Sequence, residues 1–358
     1  MEWNRNGYRI KTGFLTAVIV AILILSSCID DPPTHPQIND YQSYLTLVWE
    51  LYDQKYVGFD DKNVDWDALH DEYLQLAGDV NSFDELQYLI IEMVGELEDH
   101  NAWLLIPFSF VSKTPTYRPD IEMNFNYSLL MELLEPWNFQ WNSSMGVMWG
   151  HCVIDSIPYF AIKHFDTFFT FTSFSAEFQN HLDAPGMIID IRMSDGISLV
   201  PAKQIPGVFA VQYRTLFFTQ YRTGPAHSDL SALYKHTVYP RSWAFTKPVI
   251  ILTGEQVTGA AEAFVSAVEH IPHVTVIGDT TGGGGNIPGY FNQIYWPIWE
   301  NISMTCPFAR VFTADTVSIE GIGILPDIYV QTTPADFLAG HDPVLEYAIE
   351  WIAEETAP

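Results

Sequence analysis

In the stretch VIILTGEQVTGAAEAF, residues 249–264, an apolar run gives way to a turn and then to the start of a helix. Such a junction can carry chemistry. The first turn of a helix holds N–H groups without intrahelical partners, and the helix dipole favours negative charge there. An oxyanion forming at that place would be stabilised. A side-chain nucleophile at the turn would complete a hydrolytic site. The residue at the turn is Gly259, which has no side chain to attack with. Ser266 lies two turns down the helix and cannot take its place. Other reactive residue types are scattered. His270 and His273 sit at a helix end, where histidine suits the dipole. His151 and Cys152 are neighbours on a strand and point to opposite faces, so they are no catalytic pair. Cys152 and Cys306 could join in an oxidising compartment or stay buried and free. No metal-binding spacing stands out, and neither a metal nor another cofactor is expected. GGGG at 282–285 is no phosphate loop, because no Lys-Ser/Thr follows it.

The elements around this junction read in order. Arg5, Arg9 and Lys11 precede an apolar run of 12 residues, Phe14 to Leu25, and then the small-residue stretch LSSC. A bilayer span needs roughly 20 residues, so residues 1–27 read as a secretory signal. Pro-rich residues 28–40 read as a tether. Apolar residues at Tyr44, Leu47, Val48, Leu51 and Tyr52 recur at helical spacing. Asp65 can cap a second helix, and Ser82 with Glu85 gives a capping box before a third. Residues 41–101 therefore read as a helical bundle. Residues 102–150 are aromatic and irregular, with a β-rich texture or, alternatively, a carbohydrate or peptide platform around Trp137 and Trp141. From 151 to 358 strands and helices alternate. KPVIILT is apolar throughout, as a strand covered on both faces is. The 358 residues carry 16 Lys+Arg against 44 Asp+Glu, a formal charge of −28. Such a surface repels phosphate backbones, which excludes nucleic acid as a partner.

The motifs resemble those of the tail-specific, or C-terminal-processing, serine peptidases, including the tricorn core. SIEGIGILPDIYV (318–330) and GHDPVLEYAIEWI (340–352) are similar to its Glu-x-x-Gly-Val/Ile-x-Pro-Asp and Asp-x-x-Leu-Glu-x-Ala segments. GMIIDIRMSDG resembles its Asp-Leu-Arg-x-Asn-x-Gly-Gly strand, and VTGAAEAF its Ser-Ala-Ala-Glu helix start. VTVIGDTTGGG and RTGPAHSDLS follow in family order. The resemblance implies a mixed α/β fold, with an N-terminal helical bundle before a ClpP/crotonase-like core. It also implies serine-type peptide hydrolysis. LSSC resembles a bacterial lipobox, which implies cleavage before Cys28, lipidation of its thiol, and an exported, membrane-anchored lipoprotein at the periplasm or cell surface.

Carried over residue by residue, the resemblance places Gly259 at the nucleophile position and Gly284 where one branch has a catalytic Lys. Thr258 would serve as nucleophile only if the turn were shifted. The base of the tricorn-like branch ends a Leu-x-Asp-Gly-His stretch. In LEDHNAWL, ungapped alignment puts Asn101 there, and one deletion puts His100 there. Glu320 matches the Glu that orients the base, or else anchors the Gly-rich turn. The N–H groups of Ala260 and of Gly196, or a neighbour of Gly196, would form the oxyanion hole. Ser194 and Ile197 stand where Asn and a second Gly are usual, and Ile197 tolerates positive φ badly, so that loop is expected to be reshaped. His227 either lines the cleft or is structural. The expectation is a pseudo-peptidase holding peptides or protein C-termini by strand addition. An active hydrolase with an unrecognised nucleophile and a scaffold or glycan-binding lipoprotein remain as alternatives.

Overall fold

The computed structural model describes residues 41–102, 104–105, 125–142, 148–288 and 303–357. The signal, the tether and Cys28 lie outside the described residues. Helices α1 (Tyr41–Lys55), α2 (Trp66–Ala77) and α3 (Phe83–Gly95) share one core. Its members recur three or four residues apart: Leu45, Val48 and Tyr52, then Leu86, Ile90, Met93 and Val94. Asp65 caps α2 by accepting the Ala68 N–H at 3.0 Å. Ser82 Oγ accepts the Glu85 N–H, while the Glu85 carboxylate reaches the Asn81 N–H, one residue earlier than a capping box would place it.

The described part of 102–150 is mixed. β1 (Leu104–Leu105) is short, and β2 (Gln140–Trp141) follows α4 (Tyr127–Leu134) and a 3₁₀ turn at Glu135–Trp137. The helix departs from the β-rich expectation. YSLLMELL contains strong helix formers, Asn126 caps the Leu129 N–H, and Leu130 and Leu134 bury one face.

The central sheet also contains β3 (Trp149–Ile154), β4 (Ile157–Ile162), β5 (Met187–Asp190), β8 (Val249–Thr253), β9 (Val274–Gly278) and β13 (Ile328–Tyr329). Its order is β13-β9-β8-β5-β4-β3-β2, parallel from β13 to β4 and antiparallel beyond. Alternation decides which face each side chain covers. Val249 and Ile251 of β8 join one core, while Ile250 and Leu252 join the other. The first face is covered by α5 (Phe171–Gln179), α6 (Leu199–Gln204) and α7 (Ala260–Val268). The second is covered by α9 (Pro343–Glu355), which follows the short α8 (Pro334–Leu338) and buries Val344, Leu345, Ala348 and Ile352.

A second, antiparallel sheet runs β10 (Asn286–Pro288), β12 (Pro307–Phe312), β6 (Thr215–Tyr221), β7 (Tyr234–Thr237). Leu216, Phe217 and Val311 bring it onto the core that α7 shares. β11 (Ser303–Met304) pairs with β1. Cys152 and Cys306 are both buried and form no disulfide, one lying in the core under α9 and one in the bundle core.

The bundle is fastened to the sheets by polar groups far apart in the chain. Tyr52 OH donates to Thr305 O at 2.6 Å, and Arg310 Nη2 donates to Val57 O at 2.7 Å. Arg222 reaches Tyr56 O and Asp53 O, each at 2.8 Å. His227 belongs to this seam: it pairs with Asp53 at 2.7 Å and stacks on Phe59.

Candidate active site

β8 delivers the chain to a turn whose last residue is Gly259, at φ 63° and ψ −127°. Side-chain-bearing residues rarely adopt such a backbone, so a glycine there lets α7 start at Ala260 without strain. The helix start is held by Glu262, which is fully buried. Its carboxylate accepts the Gly259 N–H at 3.1 Å, the Thr281 hydroxyl at 2.6 Å and the Gly283 N–H at 2.8 Å. These bonds lash the first turn of α7 to the Gly-rich turn after β9. Burial pushes the Glu262 carboxyl up to about 8, against the pull of its three donors. Sequence reasoning placed Glu262 only as a letter of the helix-start motif. Its role depends on a turn that follows the next strand.

The two residues assigned as oxyanion donors meet each other. The Ala260 N–H donates to the Gly196 carbonyl at 2.8 Å, so the backbone fills the place an oxyanion would take. The Ala260 N–H, expected as one open donor beside that of Gly196 or a neighbour, is therefore already taken. The loop holding Gly196 is pinned on several sides. Phe165 N–H donates to Asp195 O at 2.8 Å, Ser198 N–H to Phe165 O at 3.0 Å, and Thr258 N–H to Ser194 O at 3.2 Å. Ser194 Oγ also reaches Ile162 O at 2.5 Å. Ile197 keeps a negative φ. A Cβ built on Gly259 would run into the Gly196 carbonyl oxygen. The missing side chain and the closed loop therefore belong together.

Both candidates for the base lie beside the turn, facing different atoms. His100 Nε2 is 3.2 Å from Thr258 Oγ1. Burial pushes the imidazole below its usual value, while the charges of Asp195 and Glu320 oppose the shift. Asn101 Nδ2 lies 3.8 Å from where a Gly259 Cβ would be, and donates to Gly284 O at 3.1 Å and to Asn286 O. The position facing the nucleophile thus carries an amide, which cannot take a proton from an attacking group. Glu320 lies close enough to His100 for its charge to oppose the lowering of the imidazole. It pairs with Lys62 at 2.8 Å and accepts the Asn286 N–H at 2.9 Å. Asp99, buried beneath, accepts from Tyr56 OH, Asn286 Nδ2 and the Asn101 N–H, each at 2.8 Å. At Gly284 a Cβ would meet Thr258, Asn101 and His100 at 3.2–3.4 Å, so these side chains occupy the space beside the lysine position. No pattern along the chain announces the pairings of Lys62 with Glu320 or of Thr258 with His100.

Two of the motifs are accounted for by a buried ionic cluster. Arg192 is wholly buried and forks onto Asp342 at 2.8 and 2.9 Å, while Asp190 takes its other edge and the Tyr159 hydroxyl. Asp342 also caps α9. These residues join the end of β5 to the start of α9 and touch no reacting group. His270 sits beside Asp315, and His273 bonds the Phe245 carbonyl.

The pattern that defines peptidase family S41 matches residues 156–330, and that of the tricorn protease C1 domain matches residues 39–95. A carboxy-terminal-processing protease of Bartonella bacilliformis is 31% identical over 99 residues, 28% of this chain and 22% of that protein. Among solved structures, a candidate peptidase from Parabacteroides merdae superimposes with a TM-score of 0.73 at 25% identity, over 88% of this chain and 97% of that one. A photosystem II D1 C-terminal processing protease shares the fold, with a TM-score of 0.51 at 14% identity, over 82% and 94% of the two chains.

Proposed function

The chain belongs to peptidase family S41, and from that premise we propose that it is a pseudo-peptidase that holds peptides or protein C-termini without cutting them. One observation carries this reading: the Gly196 carbonyl accepts the Ala260 N–H directly over a nucleophile position occupied by Gly259. Nucleophile and oxyanion donor are lost at one place. Loss of a catalytic serine alone costs a factor of up to about 10⁶ in turnover, and what remains comes from the oxyanion hole and binding. With the hole closed, the hole's share of that remainder is removed too. An extended peptide finds a ladder edge at β7 that is unpaired among the described residues, beside exposed Tyr234. We further propose that the chain is exported and anchored through lipid on Cys28. This rests on the charged start, the short apolar run and the LSSC stretch.

A second reading is favoured by the Thr258–His100 contact, a hydroxyl within reach of an imidazole kept neutral by burial. The test addresses both. An unstructured reporter polypeptide with a fluorescent C-terminus is mixed with the native chain and with Thr258→Ala. We expect a rise in fluorescence anisotropy and no new fragments from either protein. Cleavage by the native chain that Thr258→Ala abolishes would establish the second reading. Absence of both binding and cleavage would overturn the first.

A further inference from the structure

Three strands away from the turn, at the far side of the central sheet, His151, Glu177 and His181 converge. With strands about 4.8 Å apart, this is roughly 14 Å from the end of β8. We propose that these three side chains bind one zinc ion, with a fourth coordination position open to water.

The geometry is that of a ligand set. Glu177 Oε1 lies 3.2 Å from His151 Nε2 and 3.1 Å from His181 Nε2. The three donor atoms fall within 4.8 Å of one another. Zinc bonds of about 2.0–2.2 Å at tetrahedral angles put neighbouring ligand atoms roughly 3.3 Å apart, so the observed spacing needs little adjustment. The donors come from two rigid elements. His151 sits inside β3, paired with Phe160 of β4 and Gln140 of β2. Glu177 is in the last turn of α5, and His181 follows just past its end.

The surroundings point to an open site. His151 and Glu177 line a cleft of about 480 Å³ together with Trp141, Asn142, Ser173 and Asn180. Three protein ligands beside a cleft leave a position for solvent, whereas purely structural zinc sites close with four. Two imidazoles and one carboxylate suit zinc better than magnesium or calcium, which take oxygen donors. Among the described residues this is the one cluster of three such side chains. It escapes sequence reading because its members come from a strand and a helix end and match no metal-binding spacing.

The alternative is a carboxylate shared by two histidines with no affinity for metal. To separate the two, the full chain is stripped with a chelator and titrated with zinc chloride by calorimetry. Cobalt(II) replaces zinc in a parallel titration followed by visible absorption. We expect one equivalent of zinc and the intense bands of a four-coordinate cobalt ion. Glu177→Gln and His181→Ala should each weaken binding at least ~100-fold, more than the loss typical of an outer-shell change, while His164→Ala, at a histidine that pairs with Asp195 instead, should leave it unchanged. Urea unfolding checks that the variants fold, and the near-isosteric Glu177→Gln decides if His181→Ala does not. The proposal is overturned if no stoichiometric zinc is taken up, or if Glu177→Gln binds as the native chain does.

Discussion

The family resemblance suggests an obvious repair, Gly259→Ser, and the structure states why it fails. The new Cβ would collide with the Gly196 carbonyl oxygen, which is backbone and cannot swing aside as a side chain tip could. The residue would also have to keep φ 63° and ψ −127°. Backbone strain of that kind costs about 1–3 kcal/mol. Moving Gly196 breaks its bond from the Ala260 N–H, worth about 1 kcal/mol. The total is a loss of about 2–4 kcal/mol. Equilibrium urea unfolding of native, Gly259→Ser and Gly259→Ala chains measures it. Because the Cβ is the cause, Ser and Ala should lose the same amount within ~0.5 kcal/mol. Neither should cleave the reporter polypeptide. A Gly259→Ser chain as stable as the native one, cutting the reporter, would refute the argument, since it would mean the 194–198 loop opens at little cost.

Two further outcomes follow from buried charge. Arg192→Leu strands Asp190 and Asp342 without their partner and should lower stability by about 3–5 kcal/mol; an unchanged urea midpoint would show that the cluster holds nothing together. Glu262 titrates at about 8 in the folded chain against 4.5 when unfolded. The folded state keeps this proton where the unfolded state has lost it. The stabilisation is therefore complete below pH 4.5 and is lost as pH rises through about 8. The slope between is ~1.4 kcal/mol per pH unit for this one group. Urea midpoints across that window should fall more steeply for the native chain than for Glu262→Gln, and parallel profiles would show that Glu262 stays ionised.

Features with local causes were legible in the sequence. The bundle helices follow from apolar spacing, Asp65 and Ser82, and β8 from an unbroken apolar run. The helix at Tyr127–Leu134 was hidden by its aromatic surroundings, since aromatic preference for strands depends on packing that a sequence does not display. The absence of a nucleophile at Gly259 could be read from one letter. Closure of the oxyanion hole could not, because it is made by the carbonyl of Gly196, and every residue type has a carbonyl. The relation of His100 to Thr258, and of Asn101 to the Gly-rich turn, depends on how the bundle docks on the sheets.

That docking has a consequence for the order of events during synthesis. Asp99 receives Asn286 only after most of the chain has been made, and Lys62 waits longer for Glu320. Val57 O waits for Arg310, and Tyr52 OH for Thr305. Contacts between segments so distant carry the loop-closure entropy that slows folding. The bundle helices thus hold a carboxylate short of its Asn286 donor and a core short of Cys306 until the last third of the chain arrives. The bundle is made before the sheets that complete it, and in that interval its open side is exposed to association with other chains.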